Sequence, residues 1–172
     1  MQDTQLYASI LLRMATADVL PFRVSAIAQD YADSLREYRE GAGANFDFGP
    51  TESAVADFRQ NAEQFEARMS GATDEALTRA ANRLMLRVTR LLNPVLYQDL
   101  PGHLHDPALG SRSLPSLKAA LTLGRLDPAS DACRFAVAGL ARRVNAVKIQ
   151  LAEASELIED FLAKTAAIRK AS

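Results

Sequence analysis

The stretch DPASDACRFAVAGLARRVNAVKIQLAEASELIEDFLAKTAAIRKAS, residues 127–172, decides the fold, because it reads as one uninterrupted amphipathic helix. Cys133, Val137, Leu140, Val144, Val147, Leu151, Ala154, Ile158, Phe161, Thr165 and Ile168 follow one another at alternating spacings of four and three, which keeps them on one helical face. Asp127 is the expected N-cap, and Pro128 falls at the first helical position, where a missing N–H costs nothing. Roughly forty residues at ~1.5 Å each make a rod on the order of 60 Å, so at least two other segments must lie along it.

The upstream segments supply those partners. Leu6, Ile10, Met14 and Ala17 recur at helical spacing until Leu20-Pro21, where proline denies the carbonyl of Ala17 its donor and breaks the helix. Val24, Ile27, Tyr31, Leu35 and Tyr38 resume the pattern, which Gly41-Ala42-Gly43 ends. Phe46 and Phe48 lie in the following loop and are expected to tuck against the bundle. Thr51 is the expected cap of a helix built on Val55, Phe58, Ala62, Phe65 and Met69, which Gly71 stops. Thr73 or Asp74 then caps a helix built on Leu77, Ala81, Leu84, Val88 and Leu91, so residues 51–92 read as an antiparallel helical hairpin. Pro94, Pro101 and Pro107 with Gly102 and Gly110 make residues 93–113 a long loop, of a length that is uncommon in a compact domain and often functional. Ser113 caps a short helix opened by Pro115, with Leu117 and Leu121 facing inward and Gly124 closing it. The fold class is all-α: a four-helix-bundle-like single domain with a proline-broken first helix, a long loop and a short helix before the final rod.

A chain of 172 residues is long enough for one real core and short for two. A net charge of −1, with 24% charged and 48% hydrophobic residues, gives no field that would draw nucleic acid or anionic lipid. No stretch approaches the ~20 apolar residues of a membrane span. The single cysteine, Cys133, excludes an internal disulfide and, lying on the helical seam, reads as a small buried hydrophobe.

Catalytic chemistry is hard to place in this chain. His103-Leu104-His105-Asp106 offers two imidazoles, but zinc requires three or four ligands and the sequence supplies no Cys pair or His-Glu-x-x-His to complete them. Neither a serine nucleophile elbow nor a phosphate-cradling glycine loop is present. Glu153, Glu156, Glu159 and Asp160 alternate with Lys148, Lys164 and Arg169 and read as a solvated face.

Five landmarks, in order, carry a resemblance. They are Leu20-Pro21-Phe22 followed by Tyr31 to Tyr38; Phe48 with Ser53-Ala54-Val55 and Phe58; Leu92-Asn93-Pro94; Gly110-Ser111-Arg112-Ser113-Leu114-Pro115 with Leu117 and Leu121; and Asp127-Pro128. Over residues 6–151 this order resembles the helical dimerisation domain that closes the chains of the transferrin receptor and glutamate carboxypeptidase family. The resemblance implies a non-catalytic domain with no cofactor of its own. It would follow a zinc-dependent amino- or carboxypeptidase domain of the parent chain, whose compartment could be exported or membrane-anchored. It would hold two subunits together and lend a loop, here Gly110, Ser111, Arg112 and Ser113, to the substrate cleft. Ala108-Leu109 stand where the glutamate carboxypeptidases carry a Lys-Tyr pair, and the Arg-Gly-Asp of transferrin receptors is missing, so neither glutamate specificity nor transferrin binding is implied.

The partners expected are therefore a second copy and the parent's peptidase domain. Because the first segment and the last helix outreach the hairpin, the sequence places the uncovered apolar surface, and hence the homodimer interface, at Leu6, Ile10, Val147, Leu151, Ile158 and Phe161. The competing reading is a free-standing helical interaction module with no peptidase attached.

Overall fold

The computed structural model describes residues 2–99 and 113–171, with side chains given for 3–99 and 113–166. Among the described residues there are six α-helices and no strand: α1 (Gln2–Thr16), α2 (Val24–Ala42), α3 (Gly49–Met69), α4 (Glu75–Tyr97), α5 (Ala120–Leu123) and α6 (Asp131–Ala171). The all-α expectation holds. Four of these helices make the bundle: α2 packs on α3, while α6 lies against both α3 and α4. Cross-helix bonds fix the directions. Glu66 of α3 accepts from both the N–H and the hydroxyl of Ser25, at 2.8 and 2.7 Å, and Arg39 pairs with Glu52, so α2 and α3 are antiparallel. Asn61 donates to Glu159 at 2.6 Å and the Phe65 and Phe161 rings meet edge-on at 5.4 Å, so α3 runs parallel to α6. Asn82 near the start of α4 accepts from the N–H of Leu20 just ahead of α2, and Leu92 further along α4 accepts from Tyr31 at 3.3 Å, so α4 runs in the same direction as α2. Tyr38 donates to the carbonyl of Ser113 at 3.2 Å.

That arrangement corrects the hairpin. Helices α3 and α4 are antiparallel and joined by a short turn at Gly71 (φ 71°), yet α3 packs closely on α2 and α6, and α4 on α6, rather than on each other. Asp74 caps α4, accepting from the N–H of Leu77 at 2.6 Å. The reason is burial: the faces of Phe58 and Phe65 on α3 and of Leu84, Val88 and Leu92 on α4 are covered together only when α6 enters beside both.

Several helix ends differ from the sequence reading. Helix α4 continues through Pro94 to Tyr97. A proline in a helix costs ~3 kcal/mol. Against that stand the burial of Leu96, worth about 1.5–3 kcal/mol, and the bond from the N–H of Gln98 to the carbonyl of Pro94. Helix α6 begins at Asp131, not Pro128: Asp127 folds back to accept from the N–H of Ala129, and the Ser130 hydroxyl accepts from Cys133 as the working cap. Thr51 lies inside α3, buried, while Asp47 accepts from the N–H of Gly49 at the helix start. Ser113 does not cap the short helix. Leu114 opens that turn in the left-handed region (φ 61°) and is fully buried, so apolar burial offsets a backbone cost of about 1–2 kcal/mol. Leu117 is buried as expected, but Leu121 faces outward and Ala120 and Leu123 turn inward instead.

Gly41 lies within α2, and Gly43 (φ 56°) is the residue that stops it. The role of Gly41 is close approach: a Cβ there would stand 2.6 Å from the Cα of Leu121, and the N–H of Gly124 donates to the Gly41 carbonyl at 2.9 Å. Asn45 seals the same corner, donating to the carbonyls of Leu123 and Leu126. Phe48 is buried against the half-buried Phe46, their ring centroids 4.8 Å apart, as the sequence suggests.

Candidate functional site

Two features of the bundle are candidates for contact with other molecules: the face of α1 and the anchored connection between α4 and α5. The seam of α6 is covered within one chain along its described length. Its second half meets α3 and α4, and its first half is covered by the 3-10 turn Pro115–Leu117 and α5, with Arg143 donating to the carbonyl of Ser116 at 3.0 Å. This corrects four of the six interface residues. Val147 and Leu151 are 0% exposed, Ile158 1% and Phe161 9%, so none offers free apolar surface. Helix lengths alone leave this out: the short segment between Ser113 and Gly124 covers one half of α6 and leaves α3 and α4 to cover the other.

Leu6 and Ile10 are different. Every described side chain of α1 from Asp3 to Thr16 is exposed, with Leu6 at 59%, Ile10 at 45% and Leu11 at 67%. Leu6, Tyr7, Ile10, Leu11 and Met14 occupy one side of the helix, spanning about 140° at ~100° per residue. The root of α1 is nevertheless fixed. Asn82 of α4 accepts from the N–H of Leu20 at 2.9 Å and donates to the carbonyl of Asp18 at 2.8 Å, holding the proline-containing connection on the bundle. A broad apolar face is thus exposed next to a connection hydrogen-bonded to the bundle.

The second feature is the anchoring of the long connection between α4 and α5. Of the residues assigned there to a substrate cleft, Gly110, Ser111 and Arg112 lie outside the described residues, as do His103, His105 and Asp106. Ser113 is described, and its carbonyl accepts from Tyr38. The two ends of the connection meet. Leu114 donates its N–H to the carbonyl of Leu96 at 3.2 Å, and Asp99 pairs with both Lys118 and Arg143. The Asp99 side chain is only 15% exposed, so this three-membered pairing is worth more than a solvated pair. Beneath it, burial pushes the Tyr31 phenol well above its ordinary value, with Tyr97 adding to the shift, so the hydroxyl stays a donor.

A groove of about 620 Å³ runs between Arg87, Arg90 and Leu91 of α4 and Glu153, Glu156 and Asp160 of α6. Both signs of charge line it. Glu153, Glu156, Glu159 and Asp160 are all exposed, as the sequence suggests, with Glu159 accepting from Asn61 and Asp160 pairing with Lys164. Among the described residues no three His, Cys, Asp or Glu side chains converge as metal ligands would, and no helix is long and apolar enough to cross a membrane. Cys133 is buried with a free thiol.

Comparison with known proteins identifies no relative. Models of protein families, curated proteins and solved structures all return no match to this chain.

Proposed function

We propose that this chain is the non-catalytic homodimerisation and cleft-closing domain of a zinc-dependent amino- or carboxypeptidase, as its resemblance to the transferrin receptor and glutamate carboxypeptidase family implies. The observation that carries the association role is α1: a helix with about 140° of apolar surface, exposed on a bundle whose own core is already closed. Such a face is too wide for a single docked helix, whose contact is a narrow two-position seam, and suits the wall of a folded domain. In this reading the parent's peptidase domain covers α1, and the pinned connection between α4 and α5 is presented to the substrate cleft with Arg112 the residue that meets substrate. Zinc belongs to the peptidase domain, not to this chain.

The polypeptide encoded together with this chain tests the reading. An adjoining domain carrying the His, Asp and Glu ligands of a two-zinc peptidase is expected, and α1 amides should exchange far more slowly in that longer protein than in the 172-residue chain. Equal exchange in both would remove the proposed contact. A reading frame without a peptidase domain would leave α1 to a different partner and favour the free-standing module. The 172-residue chain alone should hydrolyse no peptide and retain no stoichiometric zinc after dialysis; one zinc per chain, lost on replacing His103 and His105 with Ala, would overturn the non-catalytic assignment.

A further inference from the structure

Helix α6 carries a second exposed seam on the side away from the core, and it has a different shape from that of α1. Phe135, Ala138, Arg142, Asn145, Ile149 and Ala152 follow at spacings of three and four and are all exposed. Phe135, at 79%, is the most exposed large hydrophobic residue among those described, and Ile149 stands at 56%. The order of sizes is self-complementary. Large residues occupy the positions 135, 142 and 149, and small or short ones the positions 138, 145 and 152. A second α6 laid antiparallel would set Phe135 over the partner's Ala152, Ile149 over the partner's Ala138, and Arg142 beside the partner's Asn145. Each bulky side chain then meets a small one, and the sole polar layer joins a donor to an amide oxygen at the centre, where a polar pair fixes register and orientation. Seen along a two-fold axis the pattern repeats itself, which is what an isologous contact requires.

We infer that this outer seam of α6 is the surface through which two copies of the chain pair, as an antiparallel helix pair about a two-fold axis between residues 143 and 144. The inference rests on the homodimerisation part of the proposed function and replaces the buried interface residues. The six residues expose at most on the order of 500 Å² per copy, so pairing can bury no more than about 1,000 Å², at or below the lower limit for a specific protein contact. A weak, reversible dimer is therefore expected from this chain alone. The broad face of α1 suits this role less well, because a two-helix pair would leave much of its width uncovered.

Sedimentation equilibrium of the full chain up to on the order of 100 µM tests the pairing. The expected result is a monomer–dimer equilibrium whose dissociation constant rises at least tenfold on changing Phe135→Glu with Ile149→Glu. Both positions are exposed, so helicity and melting of the dilute protein should not move. Oxidative cross-linking tests the register: a chain with Ala138→Cys and Ile149→Cys together should form a covalent dimer, and either change alone should not. Ready cross-linking of the Ile149→Cys chain alone overturns the antiparallel register. A dimer indifferent to the double glutamate change overturns this surface and leaves homodimerisation standing. A chain monomeric at every concentration overturns the pairing and the homodimerisation reading together.

Discussion

Helix α1 and the second half of α6 look alike as sequence and end in opposite environments. Leu6, Ile10 and Met14 recur every four residues, and Val147, Leu151, Ala154 and Ile158 alternate four, three and four, yet the first set is exposed and the second buried. Periodicity shows that a face will be covered, not what will cover it. The second half of α6 has α3 and α4 on either side, joined to it by the bond from Asn61 to Glu159 and the ring contact of Phe65 with Phe161. Helix α1 is tied only at its root, through Asn82, and has no such neighbour among the described residues.

If the comparison is right, the largest effect comes from placing charge in the α6 seam. Ile158→Asp or Phe161→Asp buries a carboxylate among apolar side chains, and ~3–5 kcal/mol of stability should be lost, seen as a collapsed melting transition. The same changes would merely alter mass, with melting preserved, if those residues served as a dimer contact. Next in size is the corner that lets α5 reach α6. Gly41→Ala sets a methyl against the backbone of Leu121, where only a main-chain shift relieves it, at a cost of about 1–3 kcal/mol by denaturant unfolding. An unchanged midpoint would mean α5 does not sit as closely as described. Asp99→Ala should cost about 1–2 kcal/mol, because Lys118 and Arg143 lose a shared and largely covered partner. Smallest is the effect at α1: Leu6→Glu with Leu11→Glu should leave the melting of the dilute chain within ~0.5 kcal/mol of the original. A large loss there would place α1 on the core after all.

The sequence carried the fold class and most of the core, because four helices obey one period and the apolar residues at that period are buried or half-buried. It failed where a tertiary neighbour overrode a local signal. Pro94 reads as a helix end, but buried Leu96 lies beyond it and keeps α4 going. Asp127-Pro128 reads as a helix start, but Asp127 spends its carboxylate on Ala129 and Ser130 takes over the cap. Gly41 reads as a stop, and its purpose is to let two backbones touch. The candidate surfaces were half legible. Leu6 and Ile10 are exposed, as helix length suggests, whereas Phe135 and Ile149 stand apart from every seam read in the sequence. The core seam of α6 is so regular that a second seam on the same helix was masked by it.

Hydrogen exchange on the dilute 172-residue chain bears most directly on the contrast between the two helices. Amides of α1 between residues 4 and 16 should exchange at rates close to those of a frayed helix, and amides of residues 147–161 only through global unfolding. Protection of α1 equal to that of the α6 seam, in a chain shown to be monomeric, would contradict the account, because it would mean that this molecule already covers the face assigned to another.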